Sequence, residues 1–111
     1  MKKNEVVSIY SFLGNGIKMN VLSSEETRTA LVGLIRELRK AAAEIFEELK
    51  VVEEPAFEGN KEEVRNSIMN EEYKGTFTKI DEDVLLTAIA ESKIDVPILT
   101  VLNSFEEIVK H

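Results

Sequence analysis

Residues 23–54 read SSEETRTALVGLIRELRKAAAEIFEELKVVEE, and this stretch decides the fold. Leu31, Ile35, Leu38, Ala42, Ile45, Leu49 and Val52 recur at alternating steps of four and three residues, a spacing that keeps one stripe of a helix apolar. Leu34, Ala41, Val32 and Phe46 widen the stripe beyond a two-stranded seam, which suits packing in a bundle. Ser23 with Glu26 three residues on predicts a capping box at the helix start, where both Glu25 and Glu26 also favour the positive helix end. Pro55 forbids continuation. Some 30 residues at ~1.5 Å each make a rod of about 45 Å, whereas a compact chain of this length is roughly 34 Å across. The rod is therefore expected to overhang its own domain. That would leave an apolar seam near Ile45, Leu49 and Val52 exposed, and those three residues are the candidate interaction surface of a two-fold homodimer.

At 111 residues the chain has the size of a single domain, 1–111, and needs no disulfide or metal to bury a core. Hydrophobic residues at 43% and charged residues at 32% are the mixture of a folded, well-solvated globule rather than a disordered tail. With no Trp and only 6% aromatic residues the core must be aliphatic. The absence of Cys removes thiolate chemistry and Cys-based zinc sites, and is compatible with a reducing cytosol. Lys2 and Lys3 before Val6–Leu13 imitate a secretory leader, but Asn4, Glu5, Ser8 and Ser11 interrupt the run. No apolar run approaches the ~20 residues of a membrane span. These features predict a cytoplasmic protein with no membrane partner. The net charge of -7 argues against nucleic acid as a partner, because phosphate binding is driven by Lys and Arg. Arg36, Arg39 and Lys40 are the one basic cluster, and on a Glu-rich helix they read as a solvated face.

Residues 4–13 admit a helix, with Asn4, Ser8, Ser11 and Asn15 as a polar stripe and Gly14 as its stop, or a hairpin turning at Asn15-Gly16. The helical period of the polar positions favours the first. Ile17, Met19 and Val21 alternate with polar residues as a short strand would, with 76–80 as the candidate partner in a two-stranded ribbon. Asn60 with Glu63 opens a shorter helix to about Tyr73. Asp81 is expected to cap a central helix rich in Val84, Leu85, Leu86, Ala88 and Ile89. Asp95 or Val96 would cap a last helix with Pro97 in its first turn, carrying Ile98, Val101, Leu102, Phe105, Ile108 and Val109 at helical steps.

Candidate chemistry is sparse. His111 is the only histidine and the last residue, which leaves no histidine base or histidine-centred metal site. Asp81-Glu82-Asp83 resembles the opening of a calcium loop but lacks the Gly and closing Glu at the required spacing. Glu25/Glu26, Glu47/Glu48, Glu53/Glu54 and Glu71/Glu72 are adjacent pairs, and neighbours on a helix diverge instead of converging across a cleft. Gly14-Asn15-Gly16 lacks the context of a phosphate loop. No nucleophile motif is present.

Ile17-Lys18-Met19-Asn20 leading into Ser24-Glu25-Glu26 and the Arg/Lys/Glu-rich helix, with the later Phe77-Thr78-Lys79-Ile80-Asp81, resembles small helical proteins of bacterial prophages and mobile elements. The resemblance implies a setting and carries over no activity or site residue. The expectation is a mainly α bundle built on one long amphipathic helix, with the small ribbon as an addition. Functionally it is a non-catalytic interaction or assembly protein that self-associates and needs no cofactor or metal. The alternative is an acidic inhibitor or antitoxin-like protein that blocks a basic surface of another protein.

Overall fold

The computed structural model describes residues 1–110, so the reading of His111 lies outside them. Among the described residues the elements are α1 (Lys3–Gly16), α2 (Glu25–Leu49), α3 (Lys61–Met69), β1 (Ile80–Asp81), α4 (Glu82–Glu91), α5 (Ile98–Ser104) and β2 (Val109–Lys110). The class is mainly α, with one minimal parallel pair of strands. α2 is the expected long helix and tightens into a 3-10 turn at Lys50–Glu53 just before Pro55. Its apolar stripe, from Leu31 through Leu34, Leu38 and Ala41 to Ile45, is buried against Val6, Ile9 and Leu13 of α1 and Leu85 and Ala88 of α4.

The rod does not overhang. The molecule stretches to 51 × 25 × 25 Å, and α3 folds back beside the far end of α2. Ile45 and Val52 are 0% exposed and Leu49 is half-buried, which corrects the expectation of an open seam at these three residues. On α3, Val64, Ile68 and Met69 are half-buried, Met69 packs against the core, and Arg65 fastens the helix to Glu53.

Further details differ from the sequence reading. Ser24, one residue later than expected, caps α2 by accepting from the Thr27 N–H at 3.3 Å. Ser23 instead turns its own N–H toward the Glu91 carboxylate at 3.2 Å, so the capping box with Glu26 does not form. Residues 19–21 are a 3-10 turn rather than a strand, since Ile17 and Leu22 are the positions buried while Val21 faces out. The proposed partner segment lies elsewhere: the N–H and hydroxyl of Thr78 both donate to Glu37 of α2, and Ile80 pairs in parallel with Val109.

The front of the chain is nevertheless tied to a distant part, through Lys3 N–H to Glu71 O (3.0 Å) and Tyr73 N–H to Met1 O (2.8 Å). α1 is the helix that the polar stripe favoured, and it runs past Gly14 to Gly16. α3 ends at Met69, short of Tyr73. Asp81 precedes α4 without a side-chain capping bond, its carboxylate lying 3.6 Å from the Lys110 ammonium. The last helix is shorter than its periodicity suggests. It starts after Pro97 and stops at Ser104, because Val109 is needed in the strand pair.

Three substitutions at the start of α2 and within it test this account. Ser24→Ala should cost about 1 kcal/mol, the usual value of a serine cap, and Ser23→Ala much less. Gly33 is exposed in mid-helix, and a Cβ there would meet nothing within 4 Å. Gly33→Ala should thus raise the stability of the isolated chain by about 0.5–1 kcal/mol, the helix-interior penalty of glycine. Chemical denaturation measures all three, and equal losses from Ser23→Ala and Ser24→Ala would return the cap to the earlier register.

Candidate functional site

The interior position of Ile45 and Val52 removes them from the molecular surface, so a site must be sought among residues that the fold does not consume. Three regions qualify. The first is an open groove of about 550 Å³ between α1 and α5, floored by Ile9, Phe12, Val101 and Phe105. Phe12 and Phe105 meet edge to face at 5.2 Å, the arrangement that aromatic quadrupoles prefer. The one ionisable side chain on its wall is Glu5, whose carboxylate accepts the Lys2 N–H at 3.0 Å at the start of α1. Such a groove can hold an apolar group but offers no acid–base pair.

The second region gathers charge at one end of the molecule. Lys3, 12% exposed at its side chain, places its ammonium 2.7 Å from Glu48 of α2 and 2.8 Å from Glu71 beyond α3. The Met1 ammonium lies 2.9 Å from both Glu72 and Glu107. The charge of Glu44 acts on the Tyr73 hydroxyl. Here carboxylates from distant segments do converge, which adjacent pairs in the sequence cannot reveal. Each of Glu48, Glu71 and Glu72 is bound to an ammonium, so the arrangement works as an electrostatic clasp. Hydrogen bonds donated by its ammonium to Glu48 and Glu71 outweigh desolvation and raise the Lys3 pKa above its ordinary 10.5. Burial is the main cause that raises Tyr73, with the charge of Glu44 second. Among the described residues, no group of three or more His, Cys, Asp or Glu is placed to hold a metal ion.

The third region is the solvent face of α2. Glu26, Thr29, Gly33, Arg36, Lys40, Ala43 and Glu47 lie along it and all are exposed, with Arg39 beside them and Phe46 48% exposed. Arg36, Arg39 and Lys40 form no ion pair among the described residues, while nearby Lys50 is held by Glu47 at 2.7 Å. Glu37, on the flank, is engaged by Thr78. This side of the helix presents positive charge and hydrogen-bond donors that form no ion pair among the described residues, together with an exposed aromatic ring.

The chain matches no protein-family model, no curated protein and no solved structure. None of its described helices is long and apolar enough to cross a membrane.

The role of Lys3 escaped the sequence reading, where it counted only as part of a leader-like start. Its partners stand 45 and 68 positions away, and no local pattern joins them. Lys3→Met should lower stability by about 1 kcal/mol near neutral pH, since its partners are half-exposed and screened. A pKa raised by folding gives stability that is complete below the unfolded value of 10.5 and lost as the pH rises through the native value. The deficit of Lys3→Met relative to wild type should accordingly shrink in denaturation series carried above pH 10.5. A constant deficit would assign the effect to the packing of the aliphatic stem.

Proposed function

We propose that this chain is a non-catalytic assembly protein that acts by binding protein surfaces, beginning with a second copy of itself. One observation carries the reading. A chain with 21 acids against 14 cations leaves Arg36, Arg39 and Lys40 without an ion pair among the described residues, on the solvent side of its longest helix, which also exposes the ring of Phe46. Arginine and aromatic side chains are enriched where proteins meet. The groove between α1 and α5 adds apolar surface without catalytic equipment, and the clustered carboxylates are engaged by ammonium groups. A cytoplasmic, cofactor-free role belongs to this reading, as does a prophage or mobile-element setting. Nucleic acid and membranes are not its partners, because the net charge opposes anionic surfaces.

A second reading keeps support from Glu44, Glu48, Glu71, Glu72 and Glu107, which gather at one end of the molecule. It makes the chain an acidic inhibitor or antitoxin-like protein that covers a basic surface of another protein. Light scattering coupled to size exclusion separates the two. The assembly reading expects twice the chain mass at micromolar concentration, falling to the monomer in the triple variant Arg36→Glu, Arg39→Glu, Lys40→Glu with unchanged circular dichroism. A wild type that stays monomeric throughout would leave the inhibitor reading in its place.

A further inference from the structure

The charges on the outer face of α2 are ordered. Glu26, Gly33 and Lys40 stand at steps of seven residues, two helical turns each, and so fall on nearly one line. Glu26 is exposed and forms no ion pair among the described residues, and the same holds for Lys40. Gly33, midway between them, leaves bare backbone with open space beyond it. Among the described residues nothing crowds that position, and Gly33 has no positive φ. Hollows of about 460 and 350 Å³ flank this line, and both are lined by Thr29 and Gly33.

A two-fold axis at Gly33 sets residue 26 of one copy opposite residue 40 of the other. We propose that two copies of the chain pair antiparallel along this face, with Glu26 of each copy against Lys40 of the partner subunit. The pairing rests on the self-association proposed above and specifies its surface and direction. Antiparallel helices also set opposite dipole ends beside one another. The missing Cβ at the crossing point permits the short interaxial distance, about 8 Å, at which Glu and Lys side chains reach across. The flanking hollows provide grooves for side chains of the second helix. A parallel pair would instead stack Lys40 on Lys40 and Glu26 on Glu26, so the charge order selects the direction.

The chain contains no cysteine, so one introduced thiol labels it at a single site. Glu47→Cys carrying a nitroxide should give an interlabel distance of about 40 Å in the antiparallel dimer, from 14 residues on each side of the axis at ~1.5 Å rise. Parallel pairing would bring the labels to within about 10 Å, the spacing of packed helices. Glu26→Lys and Lys40→Glu should each weaken the dimer by roughly tenfold or more, as loss of an interfacial charge pair does, and the double exchange should restore it. Gly33→Leu should abolish dimerisation while circular dichroism stays unchanged. A dimer with a short label distance, or one indifferent to both reversals, overturns the antiparallel pairing and leaves self-association standing. A monomer at every concentration removes both. Duplex DNA bound by the monomer and released by Lys40→Glu would assign the face to nucleic acid and overturn the pairing.

Discussion

Everything else in this structure follows from the burial of one helical stripe that is long for the size of the chain. α2 has 25 residues, about 37 Å of rise, and its apolar positions run from end to end. Hydrophobic surface left in water costs roughly 25 cal/mol per Å², so the remaining segments gain by spreading along the helix. The result is a radius of gyration of 15.8 Å, above the roughly 13 Å of a compact chain of this length. α1 packs against the stripe, α4 and β1 reach it from another side, and α3 closes the far end. Elongation replaces overhang.

An elongated arrangement leaves its ends dependent on few contacts, and the charged clasp around Lys3 sits at such an end. It joins three segments that are far apart in the chain: the start of α1, the last turns of α2 and the residues after α3. Ion pairs of this exposure add little stability individually. They do fix register, since only one placement of α3 lets Glu71 face the same ammonium as Glu48. The backbone bonds between residues 1–3 and 71–73 run in the same place. They bring the otherwise unpaired amide of Lys3 to an acceptor, a requirement at the first turn of any helix.

The elements with strong local signals were legible in the sequence. The period of α2, its stop before Pro55, the Asn60 cap of α3 and the acidic start of α4 each rest on interactions within a few residues, where pattern and physics coincide. The misplacements share a different cause. Ser23 has the side chain of a cap, but Glu91, 68 positions on, draws its N–H away and Ser24 takes the role. Ile17, Met19 and Val21 alternate as a strand would, yet a strand needs an edge to pair with, and in 76–80 Thr78 is engaged by Glu37 and Ile80 by Val109. Ile45 and Val52 looked exposed because the covering ability of α3 rests on just three half-buried side chains, Val64, Ile68 and Met69. Of the surface features, the Arg36/Arg39/Lys40 cluster was visible from composition. The convergence on Lys3 and the α1/α5 groove required the tertiary fold.

The distribution of charge also bears on how copies of an acidic chain can meet. A net charge of -7 makes two such molecules repel at long range, and that repulsion is screened within about 10 Å at moderate ionic strength. Pairs in contact across a partly dehydrated helix face are screened far less. The carboxylates gathered near Lys3 lie at the far end of α2 from Glu26, with most of the helix between them, so an antiparallel partner centred on Gly33 keeps the two acidic ends apart. A parallel partner would set them side by side. The bulk charge and the local order of Glu26, Gly33 and Lys40 therefore favour the same direction of pairing, although one acts through repulsion at a distance and the other through attraction at contact.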